Sequence, residues 1–275
     1  MHIKKTFLLP VIILPLIFIA CGGDDIDEPT NSTSNNTSNN IQDTTIVTVH
    51  RVSFKMIKVH GGTFTMGATS EQGNDANSDE KPAHQVTLSD YYIGQTEVTQ
   101  ALWDAVMDNN PSHFTGDMNR PVENVSYGDC QTFISKLNKL TDKTFRMPTE
   151  AEWEFAARGG IKSQSYKYAG SNDIKEVAWY KDNAGDKPHP VATKKANELG
   201  LYDMSGNVSE WCRDKYSSYS SDPQTNPTNY YSGYYLVYRG GDYVNRDYTC
   251  RVSSRHYASN PSNNACFNIG IRLAL

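Results

Sequence analysis

The chain has 275 residues, 26 lysines and arginines against 31 aspartates and glutamates, and 37% hydrophobic residues. A net charge of −5 argues against a nucleic-acid groove or a polybasic membrane patch. The low apolar content argues against a polytopic membrane protein, and the length admits one large domain or two small ones.

At the N-terminus, Lys4 and Lys5 precede an apolar run from Phe7 to Ala20 interrupted by Pro10 and Pro15. The run is shorter than the roughly 20 residues a spanning helix needs, so residues 1–20 read as a signal peptide. Its end, Phe18-Ile19-Ala20-Cys21-Gly22, resembles a bacterial lipobox. That resemblance implies cleavage before Cys21, lipidation of Cys21 and anchorage in the cell envelope, at the outer membrane in the first instance. An ordinary signal peptide followed by a chance cysteine is the alternative. Loss of Lys4 and Lys5 leaves a net charge of −7. Residues 21–45 are the anchor and a linker rich in Asn, Ser and Thr. Such a segment cannot offset its ordering entropy, and as a coil it spans about 25 Å.

Residues 46–275 form the folded part. Val47, Val49, Val52, Phe54, Ile57 and Val59 predict strands broken at Gly61-Gly62, followed by a short strand around Phe64. Residues 68–85 read as a polar surface loop. Helical spacing predicts helices over Thr96–Asp108 and Ser126–Leu140, the second with Cys130, Phe133, Ile134 and Leu137 on one face. A third starts after Pro148 with the capping pattern Thr149-Glu150-Ala151-Glu152 and closes at Gly159-Gly160. No long helix is predicted beyond residue 160. One α+β domain with much irregular backbone results.

Several strings then occur in a telling order. Gly61-Gly62-Thr63-Phe64-Thr65-Met66-Gly67 comes first, then Gln95-Thr96-Glu97-Val98-Thr99 and Pro121-Val122-Glu123-Asn124-Val125-Ser126. Arg146-Met147-Pro148-Thr149-Glu150-Ala151-Glu152-Trp153-Glu154 and Gly200-Leu201-Tyr202-Asp203-Met204-Ser205-Gly206-Asn207-Val208-Ser209-Glu210-Trp211 follow. Arg239-Gly240-Gly241 and Gly270-Ile271-Arg272 close the series. Together, over about residues 54–275, they resemble the formylglycine-generating enzyme (sulfatase-modifying factor) domain. The resemblance implies a complex α+β fold related to C-type lectins, with little regular secondary structure.

It also implies a structural Ca²⁺ held by the Asp203 side chain and the carbonyls of Met204, Gly206 and Val208, with Glu210 an additional candidate on charge. Oxygen-rich donors of this kind suit calcium. A metal-free turn in which Asp203 and Glu210 cap backbone amides is the alternative. The enzyme's copper is held by two thiolates, a donor type that suits Cu(I). The second thiolate position falls on Cys250, a catalytic residue only if the activity survives. The first falls on Asn245, whose neutral amide cannot replace a thiolate, so copper is not expected. Asp242 stands at the site of an oxygen-pocket serine, and Ser209 where the enzyme branch often carries tryptophan.

Cys250 could pair with Cys266 and Cys130 with Cys212, or all four could be free thiols, since spacing does not assign connectivity. The seven histidines show no close metal-ligand spacing, and no nucleophile elbow, phosphate loop or dinucleotide fingerprint appears. Tyr216, Tyr219, Tyr230, Tyr231, Tyr234, Tyr235 and Tyr238 crowd one polar stretch. They read either as core filling or as a surface for a glycan or envelope protein. The expected function is an envelope lipoprotein with a non-oxidase binding or structural role. The alternative is an oxidase acting on a sulfatase cysteine.

Overall fold

The computed structural model describes residues 43–230, 233–258 and 265–275. The signal peptide, Cys21, nearly all of the linker and Tyr231 lie outside the described residues. In chain order the strands are β1 (Thr44–Val49), β2 (Val52–Val59), β3 (Gly62–Met66), β4 (His84–Leu88) and β5 (Tyr91–Gly94). Three helices follow, α1 (Gln100–Met107), α2 (Tyr127–Thr141) and α3 (Glu150–Ala157), then the single turn α4 (Ile174–Val177). The rest is β6 (Ser209–Lys215), β7 (Gln224–Thr225), β8 (Leu236–Arg239), β9 (Arg255–Ala258) and β10 (Ile269–Gly270), separated by long irregular stretches.

Three small sheets run in the orders β1-β2-β5, β3-β4-β7 and β10-β6-β8-β9. β1 and β2 form a hairpin in which Val49 faces Val52 across His50 and Arg51, both in the left-handed region. That turn matches the twist of the strands it joins. Strand alternation buries Val47 and Val49 against Met56, Trp103 and Phe133, the last two rings stacked at 4.7 Å.

α2 and α3 begin where their capping residues predict: the Ser126 and Thr149 side chains accept from the third helical amide, and Asp129 and Glu152 reach back. α1 starts four residues later than the periodicity suggests. Val98 is held extended, donating to the Ile271 carbonyl and accepting from Val122 N, and Thr99 then caps the helix. Residues 68–85 lie mostly at the surface, as their polarity suggests, but some of their side chains turn inward. They form two short 3₁₀ turns, and Gln72 and Glu80 are fully buried. Arg251 draws them inward, its guanidinium meeting Glu80 at 2.6 Å.

The low apolar content is explained by an interior built partly from ion pairs. Every residue of α3 is buried, including Glu150, Glu152 and Glu154. Glu150 pairs with Arg255 at 2.7 Å, Glu152 with Arg146 at 2.6 Å, and Glu154 with Arg158 at 2.9 Å and with Arg239. Buried charges are tolerated when paired and hydrogen-bonded, and these are.

Cys130, Cys212 and Cys250 are buried free thiols in three separate apolar clusters, and Cys266 is a free, half-buried thiol. Neither disulfide alternative is realised. The tyrosines divide between the two readings. Tyr216 and Tyr219 cover the Arg255 guanidinium at 4.6 and 3.9 Å, Tyr230 covers Arg213 at 4.4 Å, and Tyr238 packs on Trp211. Tyr234 is 91% exposed, and Tyr235 lies at the surface beside Tyr257 at 5.1 Å.

Candidate functional site

The loop from Asp203 to Val208 leads into β6, and all six of its residues are buried. Asp203, Gly206 and Asn207 take positive φ, which coils the backbone tightly. A side chain at Gly206 would come within 2.4 Å of the Trp179 carbonyl, so only glycine fits. Asp203 Oδ2 accepts from Ala192 N at 2.7 Å, whereas Oδ1 is buried without a partner among the described residues. Burial pushes the Asp203 carboxyl up to about 6.

Glu97 completes this loop. Its carboxylate accepts from Asn207 Nδ2 at 2.9 Å and Val208 N at 3.1 Å, and it is pushed well up by burial and by the charges of Asp203 and Glu210. Glu97 stands in one of the sequence motifs, but no spacing rule ties it to a loop 110 residues away. Glu210 is committed elsewhere: Arg272 grips both its oxygens and Trp153 Nε1 donates to it at 2.6 Å. Glu210 is thus already paired, whereas Asp203 Oδ1 is not.

Among the described residues, no group of three or more His, Cys, Asp or Glu side chains is arranged to hold a metal. A calcium site here would rest on one carboxylate and backbone carbonyls. The unpartnered, buried Oδ1 fits such an ion, because an orphaned carboxylate oxygen costs free energy that a cation recovers.

The second locus is the turn after β8. Asp242 is fully buried and accepts from Ser209 Oγ, Val244 N, Asn245 N, Asn245 Nδ2 and Asn268 Nδ2, at 2.8–3.2 Å. Positions 209, 242 and 245, which depart from the enzyme pattern one by one in sequence, are thus a single hydrogen-bonded unit. The Asp242 carboxylate requires donors, and Asn245 and Ser209 supply them.

Cys250 lies in the same turn but points into an apolar cluster with Tyr168, Ile174, Val177, Ala178 and Tyr180. A side chain at Gly241 would meet its Sγ at 2.7 Å. Burial, with the charges of Asp242 and Asp247, pushes the thiol up to about 12. A thiol kept protonated by burial is a poor nucleophile. Iodoacetamide applied to the native protein should label Cys266 and leave Cys130, Cys212 and Cys250 untouched, as read by peptide mass mapping. Raising pH from about 7 to about 9 should not bring Cys250 into reaction, since its thiolate fraction stays small below its shifted pKa. Rapid labelling of Cys250 would contradict this placement.

No helix among the described residues is long and apolar enough to cross a membrane. Residues 43–275 match the sulfatase-modifying factor enzyme 1-like domain. The chain is 38% identical to Chaperone protein LppX of Paenibacillus barcinonensis over 252 residues, covering 74% of this chain and 83% of that protein. It is 28% identical to the formylglycine-generating enzyme of Streptomyces coelicolor, covering 79% of this chain and 88% of that protein. Among solved structures, Treponema denticola variable protein 1 superposes with a TM-score of 0.74 at 33% identity, covering 84% of this chain and 98% of that chain. With its motifs, its sparse α+β architecture and this match over the whole described domain, the chain belongs to the sulfatase-modifying factor enzyme 1-like (formylglycine-generating enzyme) domain family.

Proposed function

We propose that this is a lipid-anchored envelope protein whose domain of the formylglycine-generating type serves a binding or structural role and not cysteine oxidation. The observation that carries the proposal is the Asp242 cluster. It puts a donor-saturated carboxylate beside the Asn245 amide, at the position where the family resemblance implies the first copper thiolate, and Cys250 is buried in apolar packing. The outward Tyr234, Tyr235 and Tyr257 offer rigid amphipathic area to a glycan or an envelope protein. Anchorage at Cys21 to the outer membrane belongs to the same reading, on the sequence alone.

The alternative, an oxidase acting on a sulfatase cysteine, draws on the 28% identity to an enzyme of that name and on the retained Cys250. The deciding experiment incubates the purified protein with copper, O₂ and a cysteine-containing sulfatase peptide. No aldehyde product by mass spectrometry is the expected result. Formation of aldehyde, abolished by Cys250→Ala, would establish the oxidase instead.

Calcium belongs to the proposal as a structural ion, held by Asp203 with the carbonyls of Met204, Gly206 and Val208, where it would neutralise a buried carboxylate. Added Ca²⁺ should raise the melting temperature of chelator-stripped protein, since an ion at a hundredfold its Kd stabilises by about 2.7 kcal/mol. Asp203→Ala should remove that shift. Equal shifts in both proteins would exclude Asp203 as a ligand.

A further inference from the structure

The β1-β2-β5 sheet has one closed edge and one open edge among the described residues. At β5 the end of the chain closes it: Tyr92 N donates to the Leu275 carbonyl at 3.0 Å, and Gly94 N to the Leu273 carbonyl at 2.8 Å. β1 forms the other edge. Val49 and Val52 flank its two-residue turn, and the Asp43 carbonyl accepts from Lys58 N at 2.7 Å. Residues 43, 45, 47 and 49 therefore direct their backbone groups at β2. The N–H and C=O groups of Thr44, Ile46 and Thr48 point the other way. They meet no backbone partner among the described residues.

Proteins commonly blunt such an edge with a charge, a proline or a bulge. β1 reads Thr44-Thr45-Ile46-Val47-Thr48-Val49, with no charge and no proline, and its register with β2 is unbroken. Every residue of it is β-branched, a composition that fits an extended, pairing strand. Val47 and Val49 are buried, whereas Ile46 on the opposite face is 60% exposed.

We propose that β1 pairs antiparallel with β1 of a second copy, about a two-fold axis at Ile46. The outward-bonding residues read Thr-Ile-Thr in either direction, so the edge is complementary to itself. In that register Ile46 faces Ile46 and Thr44 faces Thr48, joined by about six backbone hydrogen bonds. The exposed isoleucine gains a cross-strand partner between two threonine pairs. Asp43 of each copy comes beside the His50-Arg51 turn of the other, with opposite charges at both ends of the ladder. Lys55, which faces Ile46 from β2, stays about 14 Å from its own copy, beyond the screening length of physiological salt.

The joined sheet ends in a closed β5 on either side, so the assembly stops at a dimer. Residues 21–42 lead into Asp43, and a coil of that length spans about 25 Å. The two Asp43 residues lie about 20 Å apart across the pair, so both tethers can reach one surface. The pairing uses no residue of the Asp242 cluster or the Asp203 loop, so its failure leaves the non-oxidase reading untouched.

The test oxidises membranes carrying the full chain, in cysteine variants, and reads covalent dimer on a non-reducing gel. Ile46→Cys sets two thiols opposite one another with Cα atoms about 5.5 Å apart, within disulfide range. It should cross-link at least about tenfold faster than Lys55→Cys, whose copies are too far apart. Thr44→Cys and Thr48→Cys, produced together, should cross-link to each other and neither to itself, the signature of a register centred on residue 46. Ile46→Lys added to that pair should cut the cross-link at least about tenfold at an unchanged melting temperature, since a lysine blocks edge pairing. The Thr44 and Thr48 variants also cover the case in which Ile46→Cys misfolds. No cross-link above the parent protein, equal rates at residues 46 and 55, or self-linking at 44 or 48 as fast as 44 to 48 overturns the proposal. A disulfide from residue 46 to a different protein also overturns it, by giving the edge to another partner.

Discussion

Glu154→Ala should cost roughly 3–5 kcal/mol, the usual penalty for removing one partner of a buried ion pair. Glu154 is wholly buried at the centre of α3, and its carboxylate serves three donors. Oε1 accepts from Gly67 N at 2.8 Å and Arg158 Nε at 2.9 Å, and Oε2 from Arg239. Arg239 itself is fully buried, so the alanine variant would leave its guanidinium with the carbonyls of Val252, Ser253 and Ser254 and, as the one remaining carboxylate among the described residues, the more distant Glu150 at 3.8 Å. A domain's entire stability is commonly about 5–15 kcal/mol, so this single change consumes a large part of it. Urea denaturation reads the result as a lowered midpoint at unchanged slope. Glu154→Gln keeps shape and one acceptor and should fall between. A midpoint within error of the parent would mean that the α3 carboxylates are not structural.

Arg272→Ala should be of similar size, by the opposite charge. Arg272 binds Glu210 through Nε and a terminal nitrogen and also donates to the Gly94 and Tyr202 carbonyls at 2.9 and 2.8 Å. Its loss would leave Glu210 facing Glu97 and Asp203 with no buried cation between them, and the β5, β6 and 202 segments would lose their common tie. A melting temperature lower by roughly 10 °C or more follows at a few degrees per kcal/mol. Arg272→Lys, which keeps the charge but not the planar fork, should recover part of the loss. A fall of only a few degrees for the alanine variant would show that the three carboxylates are compensated in another way.

Much of the local structure was legible because its causes are local. Ser126 with Asp129 and Thr149 with Glu152 lie three residues apart, so their capping boxes could be read directly. Alternation along Val47, Val49 and Val52 identified the first hairpin in the same way. Where the reading went astray, a distant partner had overridden local character. α1 lost its first turn to a backbone bond between Val98 and Ile271. Within the largely exposed segment 68–85, Glu80 is drawn inward to Arg251, 171 residues away.

The candidate site divides along the same line. The sequence alone determined the family, through motif order, and singled out positions 209, 242 and 245 as departures from the enzyme pattern and Cys250 as the retained thiol. It left the connectivity of the four cysteines after Cys21 open, and its charge balance argues against a basic groove. Only the tertiary structure decided that Ser209, Asp242 and Asn245 are one hydrogen-bonded unit and that Cys250 faces away into apolar packing. Only it paired Glu210 with Arg272 and brought Glu97 to the Asp203 loop. The physical reason is that a carboxylate's role depends on which donor reaches it, and those donors lie 62 residues away for Glu210 and 110 for Glu97. The low apolar content noted at the outset has the same origin: long-range ion pairs occupy interior positions that composition alone cannot assign.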